Sequence, residues 1–163
     1  MSLRLFLLRG VLTIAILAGC GDPSGPGASG PLFANVTIDG QRWRPTLSQA
    51  FLQDTIAAIG FQRTTGVIVE GLLIEIHNFH GPGDYALGTN TLTTSSASFL
   101  IDDSPNTPTL MATSSARPGR VTITGFSAAD STIAGTFSFP VFIPGNDQPR
   151  HSFAGSFRVQ DAF

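Results

Sequence analysis

The sequence predicts an all-β domain, an antiparallel β-sandwich or a closed β-barrel of about 8–10 strands with a meander-like C-terminal part, in residues 32–163. Three observations carry that reading. From Leu32 onward apolar residues recur with a period of two rather than the helical 3.6. Thr, Val, Ile and Phe dominate the apolar runs. Gly, Pro, Asn and Asp punctuate them at short intervals. The best helical attempt, 48–59, reads equally well as strands around Gln53-Asp54.

The residues before that domain read differently. Arg4 and Arg9 form a basic start, and Val11 to Leu17 is an apolar run broken only by Thr13. The run is too short for a membrane span, which needs about 20 apolar residues, and has the length of a signal-peptide core, so 1–19 is expected to be a signal peptide. Leu17-Ala18-Gly19-Cys20 then resembles the lipobox of bacterial lipoproteins. That resemblance implies a diacylglycerol on the Cys20 thiol, a cut before Cys20 and an acylated new amine. Each buried methylene contributes about 0.8 kcal/mol, so two or three chains on one residue anchor stably. Residues 21–31 are almost wholly Gly, Pro, Ser and Ala and make a tether with a root-mean-square span of roughly 18–20 Å. Together 20–31 form lipidated cysteine and tether. Gly21, where an aspartate would retain such a protein in the inner membrane, points to the outer membrane of the cell envelope.

Charge and cysteine content exclude several functions. The chain has nine arginines, no lysine and eleven acids. Without Arg4 and Arg9 seven arginines face those eleven acids, a net charge of −4. Scattered arginines on an acidic chain give no footprint for nucleic acid and no polybasic patch for anionic lipid. One cysteine makes no internal disulfide. The fold is therefore held by its hydrophobic core, for which about 130 residues suffice. A monomer is expected, and no cofactor is.

The elements follow in order. Asp39-Gly40 is a type I′ hairpin signal. It pairs Ile38 with Gln41, Val36 with Trp43 and Ala34 with Pro45, and so sends Trp43 inward over Val36 while Thr37, Arg42 and Arg44 face water. A long strand over 67–78 sends Leu72, Ile74 and Ile76 one way and Leu73, Glu75 and His77 the other. Val67 and Val69 are out of phase with the inward set, which predicts a bulge at Gly71. Farther on, Val121 and Ile123 point inward. Ile133, Phe137 and Phe139 do so next, then Phe153, Phe157 and Val159. Gly135 and Gly155 lie among them and mark bends or room for a neighbouring ring.

Several of these segments carry a resemblance. Val36–Trp43, Gly83–Gly88, Gly119–Thr124, Ile133–Phe139 and Phe153–Phe157 are similar to a family of secreted, β-rich bacterial lipoprotein domains of unknown function. The resemblance spans about Phe33 to Val159. It implies a lipid-anchored β domain and assigns no catalytic residue.

Candidate chemistry is sparse. Glu75 and His77 share a strand face, about 7 Å apart, and with His80 or a distant His151 form the available metal-ligand set. His77 and His80 lie on opposite faces of a regular strand, so only a turn near Asn78 joins them. The alternative is a solvated face, which is preferred, so no metal site is assigned. Asp102-Asp103 lacks the alternation and central glycine of a calcium loop, and Asp84 reads as a turn residue. No Gly-x-Ser-x-Gly elbow occurs, and Ser95, Ser96 and Ser98 are expected on an exposed strand face. Phe79 and Tyr85, flanking 80–83, are candidate ligand-binding aromatics, against the alternative that both cap the core. The expected function is a non-catalytic envelope domain, held to the membrane by the lipid on Cys20, that binds an envelope protein, a glycan or a small ligand. The alternative is an envelope hydrolase or metal-dependent enzyme using Glu75, His77 and His80 or Asp84.

Overall fold

A computed structural model describes residues 30–89, 91, 93–103 and 108–161. The expected signal peptide and Cys20 lie outside the described residues. Among those described there are eleven strands and no helix. They are β1 (Phe33–Ile38), β2 (Gln41–Trp43), β3 (Leu47–Gln53), β4 (Ile56–Thr65), β5 (Ile68–His77), β6 (Gly83–Leu87), β7 (Ser96–Asp102), β8 (Thr109–Ala112), β9 (Gly119–Ser127), β10 (Thr132–Val141) and β11 (His151–Gln160).

The strands form two antiparallel sheets, ordered β2-β1-β11-β10-β9-β6 and β3-β4-β5-β7-β8. Each keeps two open edges, so the fold is a sandwich and not a closed barrel. Single bridges stitch the sheets at two corners, Asp161 to Ala50 of β3 and Phe142 to Ala112 of β8. The β10–β11 hairpin thus runs from one edge of the five-stranded sheet to the other, and the two layers cross.

Local sequence sets the register. Asp39 and Gly40 both adopt left-handed φ, 51° and 78°, as a type I′ turn requires. The ladder pairs Ile38 with Gln41, Thr37 with Arg42 and Val36 with Trp43. Trp43 and Val36 are buried. The 48–59 segment is two strands, turned at Asp54.

The interior is aromatic and shared by both sheets. Phe99 of the five-stranded sheet meets Phe153 at 4.8 Å between ring centres and Trp43 at 6.2 Å. Phe61 meets Phe137 and Phe157. In the β10–β11 ladder Gly135 stands opposite Phe157, and Gly155 opposite Phe137. A Cβ on Gly135 would come 3.1 Å from the Phe157 ring, and one on Gly155 would come 2.7 Å from the Phe137 ring. Each glycine vacates the space its neighbour's ring fills.

The bulge expected at Gly71 is absent. β5 pairs residue for residue with β4 from Ile56–His77 to Thr65–Ile68, and with β7 from Val69–Asp102 to Glu75–Ser96. The inward alternation runs on through Leu72 to Glu70, so Val69 faces outward, and Val67, in the turn, is 75% exposed. A carboxylate can hold this core-phase position because two side chains satisfy it. Arg63, directly opposite on β4, forms an ion pair with Glu70. The Trp43 indole N–H donates to Glu70 Oε2 at 3.1 Å. The Arg63 guanidinium also lies 5.6 Å over the Trp43 ring. The interruption of pairing lies instead between β9 and β10, at Ala134/Gly135, where Thr124 is the extra residue.

Candidate ligand-binding face

The residues singled out from the sequence fall on separate surfaces. β5 ends at His77, and Asn78 turns the chain with φ 55°. Phe79 then packs against the core, 5.3 Å from the Phe126 ring and 6.0 Å from Tyr85. Tyr85 is 7% exposed, and its hydroxyl donates to the Gly81 carbonyl at 2.7 Å. These two rings close a corner of the core. His80 lies outside them, its ring 5.3 Å from Tyr85 and its Nδ1 donating to the Asn78 carbonyl at 2.9 Å.

Glu75 and His77 stand on the outer face of the five-stranded sheet, half-buried. Asp84 stands on the outer face of the other sheet, accepting from Thr122 Oγ1 at 2.5 Å. His151 begins β11, where its Nδ1 donates to Asp39 Oδ2 at 2.7 Å. The turn that could have joined His77 to His80 carries His80 against Tyr85 instead. Among the described residues no group of three or more His, Cys, Asp or Glu gathers to hold a metal. The serines differ from expectation: Ser98 is half-buried on the outer face, but Ser95 and Ser96 are buried. They lie where the chain crosses from β6 in one sheet to β7 in the other, and Ser95 Oγ accepts the His77 N–H at 3.0 Å.

Two carboxylates sit in unusual settings. Burial alone would raise the Glu70 pKa; the hydrogen bonds from Arg63 and Trp43 and the Arg63 charge outweigh it and hold the carboxyl below its ordinary range. The Asp39 carboxyl is lowered chiefly by the His151 hydrogen bond, then by the Ser152 N–H. Asp39 secures the start of β11, and Glu70 ties β4 and β5 to Trp43 of β2.

A small concavity of about 210 Å³ is lined by Phe79 and His80 with Leu52, Ile56 and Phe126, and a larger one, about 380 Å³, lies on the outer face of the five-stranded sheet. One cross-strand row builds it: Leu47, Gln62, Gly71, Leu100 and Leu110, one residue from each strand. The next row brings Gln49, Gly60, Leu73 and Ser98. Gly60 and Gly71 have nearly open space above them, so the floor sinks between the flanking leucines. Leu47 is 49% exposed and Leu110 52%. The lining is apolar or neutral, so the trough can hold hydrocarbon or a neutral surface; Ser98 brings a hydroxyl, with no acidic or basic side chain among the lining residues. The sequence reading missed it. The signal was apolar residues at outward positions of β3, β5, β7 and β8, with glycines in strand interiors.

The family description that matches the chain, over residues 31–158, is a domain of unknown function (DUF6252). No curated protein and no solved structure matches.

Proposed function

Starting from the chain's membership of this family of unknown function, we propose that it is a lipid-anchored protein of the bacterial cell envelope whose β-sandwich acts by binding rather than by catalysis. The observation that carries the reading is the uncharged trough across all five strands of one sheet. Apolar patches of a few hundred Å² on a monomer often mark interaction sites. The separation of Glu75 and His77, His80, and Asp84 onto three surfaces supports binding over the hydrolase alternative, because acid–base chemistry needs such groups within hydrogen-bond reach of one substrate. Lipid on Cys20 anchors the chain, and Gly21 directs it to the outer membrane.

The test uses the full chain in native membranes. A photo-cross-linking residue placed at Leu100 should form adducts with the binding partner, and one at Ser138, on the outer face of the six-stranded sheet, should form none. Equal adducts at both positions, or none at Leu100, would defeat the reading.

A further inference from the structure

The two exposed faces of the sandwich differ in kind. The outer face of the six-stranded sheet presents hydroxyls and charges, among them Thr37, Arg42, Asp84 and Arg120. The outer face of the five-stranded sheet presents Leu47, Leu73, Leu100 and Leu110, each 37–52% exposed. Its charged side chains stand at its margins, where Glu75 pairs with Ser96 and Asp102 with Val69 at the two ends of the β5–β7 ladder.

The chain arrives over the six-stranded sheet, near the corner where that sheet meets β3. Arg158 Nη1 donates to the Pro31 carbonyl at 3.0 Å, and Gly30 lies against the same guanidinium. Three residues beyond Arg158, Asp161 bridges to Ala50 of β3, an edge strand of the five-stranded sheet. Cys20 precedes Gly30 by ten residues, which reach at most about 33–36 Å. A lipid on Cys20 therefore keeps the whole domain within about its own width of the bilayer, and the leucine face can reach it.

On the anchor reading above, we propose that the outer face of the five-stranded sheet lies on the bilayer holding Cys20, with Leu47, Leu73, Leu100 and Leu110 set into its interfacial layer. Size favours this occupant. Four strand spacings by about four residues give a centre of roughly 19 by 13 Å. That is well below the roughly 800 Å² each partner contributes to a stable protein interface. A second copy recruited from solution would have to draw on the polar and charged margins of the face as well. The patch is large enough to orient a domain whose anchor already supplies a high local concentration. Chemistry favours it too. A peptide laid in the trough would need partners for its N–H and C=O groups, and Gln49, Gln62 and Ser98 are the polar side chains there. Hydrocarbon needs none.

The full lipidated chain carries Cys20 as its one cysteine, so an added cysteine is the one free thiol for an environment-sensitive dye. Leu110→Cys reports the leucine face and Ser138→Cys the opposite face; both positions are exposed. On phosphatidylethanolamine–phosphatidylglycerol vesicles the dye at 110 should shift to the blue and be quenched by lipids spin-labelled near the headgroup. The dye at 138 should keep its emission. Water-like emission from position 110 on a chain that floats with the vesicles would overturn the proposal and leave the anchor standing. A dimer in detergent micelles that buries the 110 dye would also overturn it, in favour of a second copy. Failure of the lipid-modified chain to float would defeat the anchor, and the proposal with it.

Discussion

Trp43, Arg63 and Glu70 close one end of the core, and each depends on the other two. Trp43 is 3% exposed, so its native emission should be blue-shifted, and Trp43→Ala should cost about 3–5 kcal/mol in chemical denaturation. Fully red-shifted emission from the native chain would contradict the hairpin register. Glu70 adds a pH dependence. Its folded pKa lies below the ordinary value of 4.5, so its contribution is full above that value and is lost as pH falls through the lowered one. Glu70→Gln should therefore destabilise the protein at pH 7 by on the order of 1–3 kcal/mol, and the gap to wild type should shrink as pH falls below the ordinary glutamate range. A gap that stays constant in denaturant titrations from pH 7 to 3 would remove the carboxylate from the account. At Glu75, His77 and His80 a triple alanine variant should change stability by no more than about 0.5 kcal/mol. Zinc should leave the wild-type melting temperature unmoved, since a native-state ligand at a hundred times its dissociation constant adds about 2.7 kcal/mol and is easily seen. A zinc-dependent rise in the wild type, lost in the variant, would restore the metal reading.

Within single elements, glycine has opposite meanings in two kinds of strand. A Cβ on Gly155 would strike the Asn35 carbonyl of the neighbouring strand and the Phe137 ring in the core. Gly155→Ala should destabilise by about 1–3 kcal/mol as an overpacking change. Nothing lies within 4 Å of a Cβ on Gly71, and its ladders carry no shift. Gly71→Ala should be neutral or stabilising by about 0.5–1 kcal/mol. Thermal melts of the two variants separate the cases, and comparable losses in both would contradict the assigned roles. These strands also show what local sequence encodes. Val36–Trp43 pairing was legible because Asp39-Gly40 fixes the turn, and inward Phe137 and Phe157 because the alternation around them is unbroken. Gly71 misled because apolar Val67 and Val69 sit outside the inward phase and charged Glu70 sits within it. That reversal becomes readable only once the Arg63–Glu70 pairing and the distant Trp43 are known.

At the scale of the molecule, the sequence left sandwich and barrel open because strand alternation is the same in both. The choice rests on the sheet edges at β2, β6, β3 and β8 and on the corner bridges at Ala50 and Ala112, which join residues far apart in the chain. The trough was hidden for a related reason: Leu47, Leu73, Leu100 and Leu110 become one surface only when five strands are laid side by side. Phe79 and Tyr85 were visible as aromatics, but Phe79 packs on Phe126, more than forty residues away, and on Tyr85. The chain unites a closed core, one polar face and one apolar face behind a short segment leading back to Cys20, and its proposed role depends on that cysteine. The most direct test expresses wild type and Cys20→Ser in a bacterial host with a fatty-acid probe and separates membranes from soluble fractions. The wild type should carry the label and sediment with membranes, and Cys20→Ser should lose both. Label or full membrane retention persisting in Cys20→Ser would contradict the account.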